Sequence, residues 1–354
     1  MTNVNGVERT KKQTYFHNLI YLPQKYQILQ FDWVKLGIKE YFCQILKNLA
    51  IYMKITITGD LGSGKSTIAK ILSEELNLKY LSTGAIQREI AHRYGMTTLE
   101  LNNLADTNKE IDKEIDDNLR ALNTLDKNFV VDSRLGWFFI PSSIKLYFLI
   151  DIEVAAKRIM SDSTRINETT YATIQETVKS ITLRKGSENN RFLKEYGADC
   201  ADFSNFDLTI NTTELKTMTI ARFITKIINQ KDFQRGVIWC NPKILFPTQN
   251  IRETFNDDFD DLKEQINTTS PSSEYPISVI EKNGKWAILD GHKRTSIAIQ
   301  NGVSLVPVQL IAKNEELLPN NISANEYFGD TINAVSLNDW EKANKFEFYN
   351  HPTL

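Results

Sequence analysis

Short apolar runs alternate with longer periodic ones along residues 53–230. "KITITG", "KYLS", "NFVVDS", "IKLYFLID" and "FDLTIN" are short β-rich runs of the type expected of buried parallel strands. Between them, apolar residues recur at helical spacing over 65–76, 85–95, 108–125, 153–160, 168–185, 188–196 and 214–229. Strands alternating with helices predict right-handed crossovers and a five-stranded parallel sheet, an α/β domain covered on both faces.

After residue 230 the pattern changes. "VIWCNPKILFPTQNIRETFNDDFDDLKEQI" reads as a strand, a turn and an acidic amphipathic helix, and "NTTSPSSEYP" as a polar loop. "ISVIEKNGKWAILDG" predicts a β-hairpin turning at Asn283-Gly284, because that dipeptide suits the two positive-φ positions of a tight hairpin turn. A helix "HKRTSIAIQNG" and a strand "VPVQLIA" follow, so 236–313 reads as a smaller α+β domain. Residues 314–354 have no clear period and are expected to form irregular helix and tail. Residues 1–52 stand apart, with seven Lys/Arg against three Asp/Glu, nine aromatic residues and one amphipathic helix predicted near 33–49. Two readings of this extension stay open: a docking appendage, or a stretch preceding a translation start at Met53.

Composition narrows the class. The 354 residues are 41% hydrophobic and 24% charged with a net charge of −2, values of a globular protein without the basic field that nucleic acid or an anionic membrane would call for. Cys43, Cys200 and Cys240 lie far apart, giving neither a disulfide framework nor a zinc site. No run reaches 18 apolar residues. A cytoplasmic protein with no nucleic-acid or membrane partner is the expectation; its oligomeric state is not fixed by sequence.

Chemistry enters with "GDLGSGKST", residues 59–67. Gly59, Gly62 and Gly64 allow the tight, positive-φ turns that aim backbone N–H groups at phosphate oxygens, with Ser63 between them. A helix starting at Lys65 adds the positive end of its dipole. Lys65 supplies a cation to the β/γ-phosphates, Ser66 a hydroxyl to Mg²⁺, and Thr67 lies in the first turn. A strand before and a helix after make this a site for ATP with Mg²⁺.

Three further clusters suggest the phosphoryl acceptor. "STGAIQRE" opens a helix with Thr83 and puts Arg88 one turn in, able to pair with a phosphate. "VVDSRLGW" carries Asp132 and Arg134 out of the C-terminal end of a buried strand, where α/β ligands bind. "TLRKGSENNRFLKEY" holds Arg184 and Arg191, seven apart, on one helix or on two arms of a helical hairpin, as lid arginines that could neutralise transition-state charge.

In this order these segments resemble the cytidylate kinase family, its short archaeal-type branch above all, over about 53–230. The resemblance implies a nucleoside-monophosphate kinase of the P-loop fold. Thr83 and Arg88 then hold the CMP base and phosphate, and Arg134 is a second phosphate arginine beside Asp132. Lys65, Arg134, Arg184 and Arg191 carry the transfer. The bacterial branch has an acid after the arginine matching Arg134, where this chain has Leu135. It also has an acid before the Ser/Thr-Gly turn, where this chain has Ser82.

Residues 238–312 resemble the ParB/sulfiredoxin-like fold. The turn "DGHKR" (Asp290, Gly291, His292, Lys293, Arg294) is a helix start flanked by basic side chains, a candidate second anion site. Arg252 falls on the arginine after the Pro-x-Gln element of ParB proteins, and Glu253 is the nearest acid for a free-serine-kinase reading. ATP-dependent phosphorylation of CMP or dCMP leads. A kinase of a small hydroxyl compound acting through 236–313, and a non-catalytic nucleotide sensor, are the alternatives.

Overall fold

The computed structural model describes residues 52–97, 100, 101, 104, 109–162, 172–255, 259, 260, 263, 275–349 and 351. The helix expected near 33–49 lies outside them, as do most of the acidic helix and polar loop expected over 256–274. Residues 52–354 group as one unit.

Among the described residues ten strands, numbered along the chain, make one sheet in the order β2-β3-β1-β4-β5-β6-β10-β8-β9-β7. The first five, β1 (Lys54–Gly59), β2 (Lys79–Ser82), β3 (Phe129–Asp132), β4 (Ile144–Leu149) and β5 (Leu208–Asn211), run parallel and are the five runs read from the sequence. Their side chains alternate between two cores. Val130, Leu146 and Phe148 pack with α1 (Lys65–Glu75) and α7 (Thr217–Gln230). Phe129, Val131 and Tyr147 face a second core with Ile90 of α2 (Thr83–Arg93), Leu119 of α3 (Lys109–Asn123) and Trp137 of the short α4 (Gly136–Phe139). Each fully buried branched or aromatic side chain stabilises the sheet by about 1.5–3 kcal/mol.

β1 lies between β3 and β4, so the chain leaving β1 and the chain leaving β3 cross over in opposite directions. A crevice opens between their C-terminal ends, the topological switch point at which α/β sheets bind ligands. α5 (Ile152–Ser161) is capped by Asp151, whose Oδ1 accepts from the backbone N–H of Glu153 and Val154. Over 174–196 the sequence left one helix or two arms open, with separate helical stretches at 168–185 and 188–196. The structure has one helix, α6 (Ile174–Tyr196). Gly186 does not break it, since the Thr173 cap and the left-handed Gly197 fix the two ends.

The sheet does not stop near residue 230. β6 (Ile238–Cys240) pairs parallel with β5 and antiparallel with β10 (Val306–Lys313). Ile238 and Cys240 enter the core of the C-terminal part while Trp239 enters that of the N-terminal part. β7 (Leu245–Phe246), the short α8 (Ile251–Thr254), and the β8–β9 hairpin (Ile277–Lys282, Lys285–Asp290) follow. The hairpin turns at Asn283 and Gly284, both at positive φ as expected. At the hairpin tip, Lys285 Nζ donates to Asp151 Oδ2 at 2.7 Å, joining the C-terminal part to the cap of α5.

α9 (His292–Gln300) packs under α11 (Ala334–Asn344), which follows α10 (Ala324–Thr331). The last two helices lie in the stretch expected to form irregular helix and tail, and both are regular α-helices. Each starts on a cap readable in the sequence: Ser323 Oγ accepts from Glu326 N at 3.1 Å, and Asn333 Oδ1 from Ser336 N at 2.9 Å. Buried Phe328, Leu337 and Trp340 hold them to the sheet.

Candidate active site

The loop 59–67 runs from β1 into α1 with Gly59, Gly62 and Gly64 all at positive φ. Ser63 is buried and its Oγ donates to Asp60 O at 2.7 Å, closing the loop on itself. Lys65 Nζ folds back onto the loop, donating to Gly59 O at 3.0 Å and Asp60 O at 2.6 Å. Ser66 Oγ donates to Asp132 Oδ2 at 2.5 Å. Asp132 reaches it because β3 is paired in register with β1, Asp132 standing opposite Ile57. The sequence reading assigned Asp132 to the acceptor; the geometry puts it beside Ser66. A hydroxyl and a carboxylate oxygen side by side are hard donors of the kind Mg²⁺ takes. Among the described residues no group of three or more His, Cys, Asp or Glu is arranged to hold a metal alone.

Thr83 Oγ1 donates to Asp132 O at 3.3 Å, so the start of α2 is tied to the end of β3. Arg88 is exposed one turn along α2 and lines the crevice. Arg134 leaves β3 toward α6, where Glu188, only 8% exposed, forms an ion pair with it and a second one with Arg184, at 3.0 Å. Arg191 lies two turns beyond Arg184 and lines the same cleft. Burial and the neighbouring Arg184 draw Arg134 down to about 9, so it remains a cation at neutral pH.

The cleft has a volume of about 820 Å³, and every described residue lining it lies between 61 and 217. Lys65 and Ser66 stand in it with Arg88, Arg134, Arg184 and Arg191. Among the described lining residues seven are Lys or Arg and four are Asp or Glu. On a chain of net charge −2, that local excess selects anions.

Sequence reasoning missed four residues here. Glu188 sits four after Arg184 in a charged helix, the usual look of a solvated face; Arg134, fifty-four residues earlier, is what makes it a buried acid. Lys185 Nζ pairs with Asp60 Oδ1 at 2.6 Å and ties α6 to the phosphate loop. Asp60 also accepts from Ile150 N at 3.3 Å. Arg158, on α5, donates to Thr212 O at 3.2 Å and stands 3.5 Å from Gly62 O, with its pKa lowered by burial.

In the C-terminal part, Asp290–Arg294 form a helix start opened by Gly291. His292 is buried, accepts on Nε2 from Thr248 N at 3.0 Å and meets the edge of Trp340; burial lowers its pKa to about 4. Arg294 donates to Asp290 Oδ2 at 2.7 Å and to Pro276 O at 3.2 Å. Lys293 is the remaining basic side chain of the turn. Arg252 is exposed on α8. Glu253 completes a capping box with Asn250, each accepting from the other's backbone N–H. Cys200 and Cys240 are buried free thiols, pushed up by burial, Cys200 to about 11. Among the described residues no helix is long and apolar enough to cross a membrane.

The cytidylate kinase-like family matches residues 54–214, the span that builds the cleft. A protein named cytidylate kinase from Sulfurisphaera tokodaii is 40% identical over 179 residues, 50% of this chain and 96% of that protein. One of the same name from Sulfolobus acidocaldarius is 40% identical over 187 residues, covering 52% and 99%. An S-adenosylmethionine-dependent nucleotide dehydratase from Lacinutrix mariniflava is 34% identical over 172 residues, which are 35% of its length. Among solved structures, a shikimate kinase from Bacteroides thetaiotaomicron overlays with a TM-score of 0.37 at 13% identity, covering 50% of this chain and 98% of that one. Through residues 54–214 the chain belongs to the cytidylate kinase-like family and is a phosphotransferase of the nucleoside-monophosphate kinase class.

Proposed function

We propose that the chain transfers the γ-phosphoryl group of ATP to CMP or dCMP. The observation that carries this reading is the cleft itself: a phosphate loop with Lys65 at one side and Arg88, Arg134, Arg184 and Arg191 in the same cavity. An oxygen of the acceptor phosphate attacks the γ-phosphorus, the β–γ bridging P–O bond breaks, and its electron pair leaves with ADP. A phosphate oxygen is already nucleophilic, so no strong base is required; positioning and charge neutralisation suffice.

In this reading the N–H groups of residues 59–67, with Ser63 and Thr67 in the loop and first turn, receive the ATP phosphates, and Lys65 turns from its loop carbonyls toward them. Arg88 and Arg134 hold the acceptor phosphate, and Thr83 borders the base. Arg184 and Arg191 neutralise charge on the transferred group. Glu188 keeps Arg134 and Arg184 together, holding their guanidinium groups ready for phosphate oxygens. Ser66 and Asp132 would hold Mg²⁺, which supplies charge neutralisation across the β- and γ-phosphates.

The test is ADP release by the purified full chain with ATP and CMP, dCMP, UMP, AMP or free serine. CMP or dCMP turning over fastest is the expected result. Preference for another nucleotide removes the cytidylate reading, and ADP release with serine alone would move the activity to residues 236–313.

A further inference from the structure

Sheet order gives the cleft two ends. α2 follows β2 on one flank of β1 and its phosphate loop, and brings Thr83 and Arg88. On the other flank α5 follows β4 and α7 follows β5, and they bring Arg158 and Thr217. On the kinase reading proposed above, with the acceptor phosphate at Arg88, the second end takes the nucleoside of ATP.

Residues 212–216 join β5 to α7 at that end. Glu214 stands there at φ 59, a conformation that a residue with a side chain keeps only where its neighbours fix it. On the cleft side, Arg158 Nη2 donates to Thr212 O at 3.2 Å. A Cβ at Gly62 would stand 2.9 Å from Ala155 O, so α5 lies directly against the phosphate loop. On the far side the neighbours belong to the C-terminal part. Asn241, the residue after β6, donates from Nδ2 to Glu214 O at 2.9 Å. Asp151 joins the two: its N–H donates to Thr213 Oγ1 at 2.8 Å, and its Oδ2 accepts from Lys285 Nζ at 2.7 Å. With side chains only 8% and 19% exposed, Asp151 and Lys285 are little screened by water and salt. The cavity left between the two parts, beside Thr213, Glu214, Lys285 and Trp286, measures about 40 Å³, room for a water or so and none for a nucleotide. The two surfaces meet as a support and not as a second binding site.

We propose that the C-terminal part buttresses the ATP end of the cleft. Lys285 and Asn241 are positioning residues: through Asp151, Thr213 and Glu214 they set α5 and the 212–216 loop, and with them Arg158 and Thr217. Neither touches the nucleotide. Lys285 acts on the N-cap of α5, two turns before Arg158, and a helix moves as a rigid element, so a shift of its first turn is carried to Arg158.

The experiment measures binding of ATP and of inorganic tripolyphosphate, each with Mg²⁺ and without acceptor, to the full chain and its variants by calorimetry. Tripolyphosphate occupies the phosphate loop but has no nucleoside, so loss of the buttress should separate the two ligands. Lys285→Met keeps the length of the side chain and removes its cation. ATP affinity should then fall about five- to thirtyfold, with tripolyphosphate within about twofold of wild type. Lys285→Arg, which keeps a cation for Asp151, should bind ATP within about threefold of wild type. Asn241→Asp still accepts from Lys243 N but cannot donate to Glu214 O, and should weaken ATP about threefold. Unchanged ATP affinity in Lys285→Met, or an equal fall for both ligands, overturns the buttress. If that variant does not fold, the same comparison in Asn241→Asp decides. The two readings fail separately. A wild type that binds ATP but phosphorylates no nucleoside monophosphate removes the acceptor reading, and the ATP-to-tripolyphosphate comparison still judges the buttress. Turnover of CMP with wild-type ATP affinity in both variants removes the buttress alone.

Discussion

Two helices in this molecule begin in the same way and serve different ends. α1 and α9 each follow a strand, each is opened by a glycine in the left-handed region (Gly64 at φ 84, Gly291 at φ 106), and neither N-cap makes a side-chain hydrogen bond. Both carry a lysine within two residues of the glycine. At Gly64 a Cβ would meet only Ile68 and Thr217, at 3.8 and 3.9 Å, so the glycine serves the backbone conformation and the space around it is open. At Gly291 a Cβ would stand 3.1 Å from Arg294 and 3.2 Å from Ile277, so that turn is packed shut. Around the first start lies a cleft of about 820 Å³. Around the second, Arg294 and His292 are held by Asp290, Pro276 and Thr248. A glycine-opened basic helix start is a capacity for anions; only the open space beside it makes that capacity usable.

The largest expected effect separates the two starts by chemistry. Lys65→Ala should lower kcat by about 10²–10³ and leave the melting midpoint within about 2 °C, because the ammonium serves phosphate charge and no core. Steady-state kinetics with a thermal melt checks it, and wild-type turnover in the variant would remove the phosphate loop from the mechanism. Next is Arg134→Ala. It should lower kcat/KM for the acceptor about a hundredfold and leave the KM for ATP within about threefold. Equal damage to both substrates would mean that Arg134 shapes the whole cleft and does not single out the acceptor.

The other start gives a stability effect that depends on pH. His292 is neutral when folded because Thr248 N–H donates to its Nε2 and because burial lowers its pKa to about 4, against 6.5 unfolded. Protonation is thus easier in the unfolded chain. The contribution is fully present above about pH 6.5, declines as pH falls, and is exhausted near pH 4. At pH 5 the loss is about 2 kcal/mol. Denaturant melts of wild type and His292→Gln at pH 7.5 and 5 measure it: the glutamine variant should be less stable at pH 7.5 but lose about 2 kcal/mol less on acidification. Parallel losses in both chains would show that His292 titrates normally.

These contrasts explain what the sequence could and could not tell. The phosphate loop was legible because a local motif, a strand before it and a helix after it all agree. The five parallel strands were legible as short β-rich runs between helical patterns, and four of them have buried residues on consecutive positions, whereas β2 is exposed at Lys79 and half-buried over Tyr80, Leu81 and Ser82. The hairpin at Asn283-Gly284 was legible because its turn needs positive φ at both residues. Pairings between distant segments were not. Nothing near Glu188 announces Arg134, nothing near Ser66 announces Asp132, and nothing near Asp151 announces Lys285. The boundary expected near 230–236 followed a real change of pattern, yet β6 carries the hydrogen-bonded ladder across it and divides its side chains between two cores. That is why tests of the C-terminal part belong in the full chain.

The smallest expected effect tests whether the two starts are independent. Gly291→Ala puts a side chain at φ +106 with only 3.1–3.2 Å to its neighbours. Part of the crowding can be relieved by Arg294, a flexible side chain on the turn's own surface, but Ile277 is buried in β8 and gives less. The cost should be on the order of 1 kcal/mol in a denaturant melt. Phosphoryl transfer should stay within about twofold of wild type, because among the described residues none beyond Thr217 lines the cleft. If the variant stays folded while its kcat/KM collapses, the packed-shut turn is not a scaffold. The route by which it would act is already visible in the Lys285–Asp151 contact at 2.7 Å, and Lys285→Ala should then reproduce the loss.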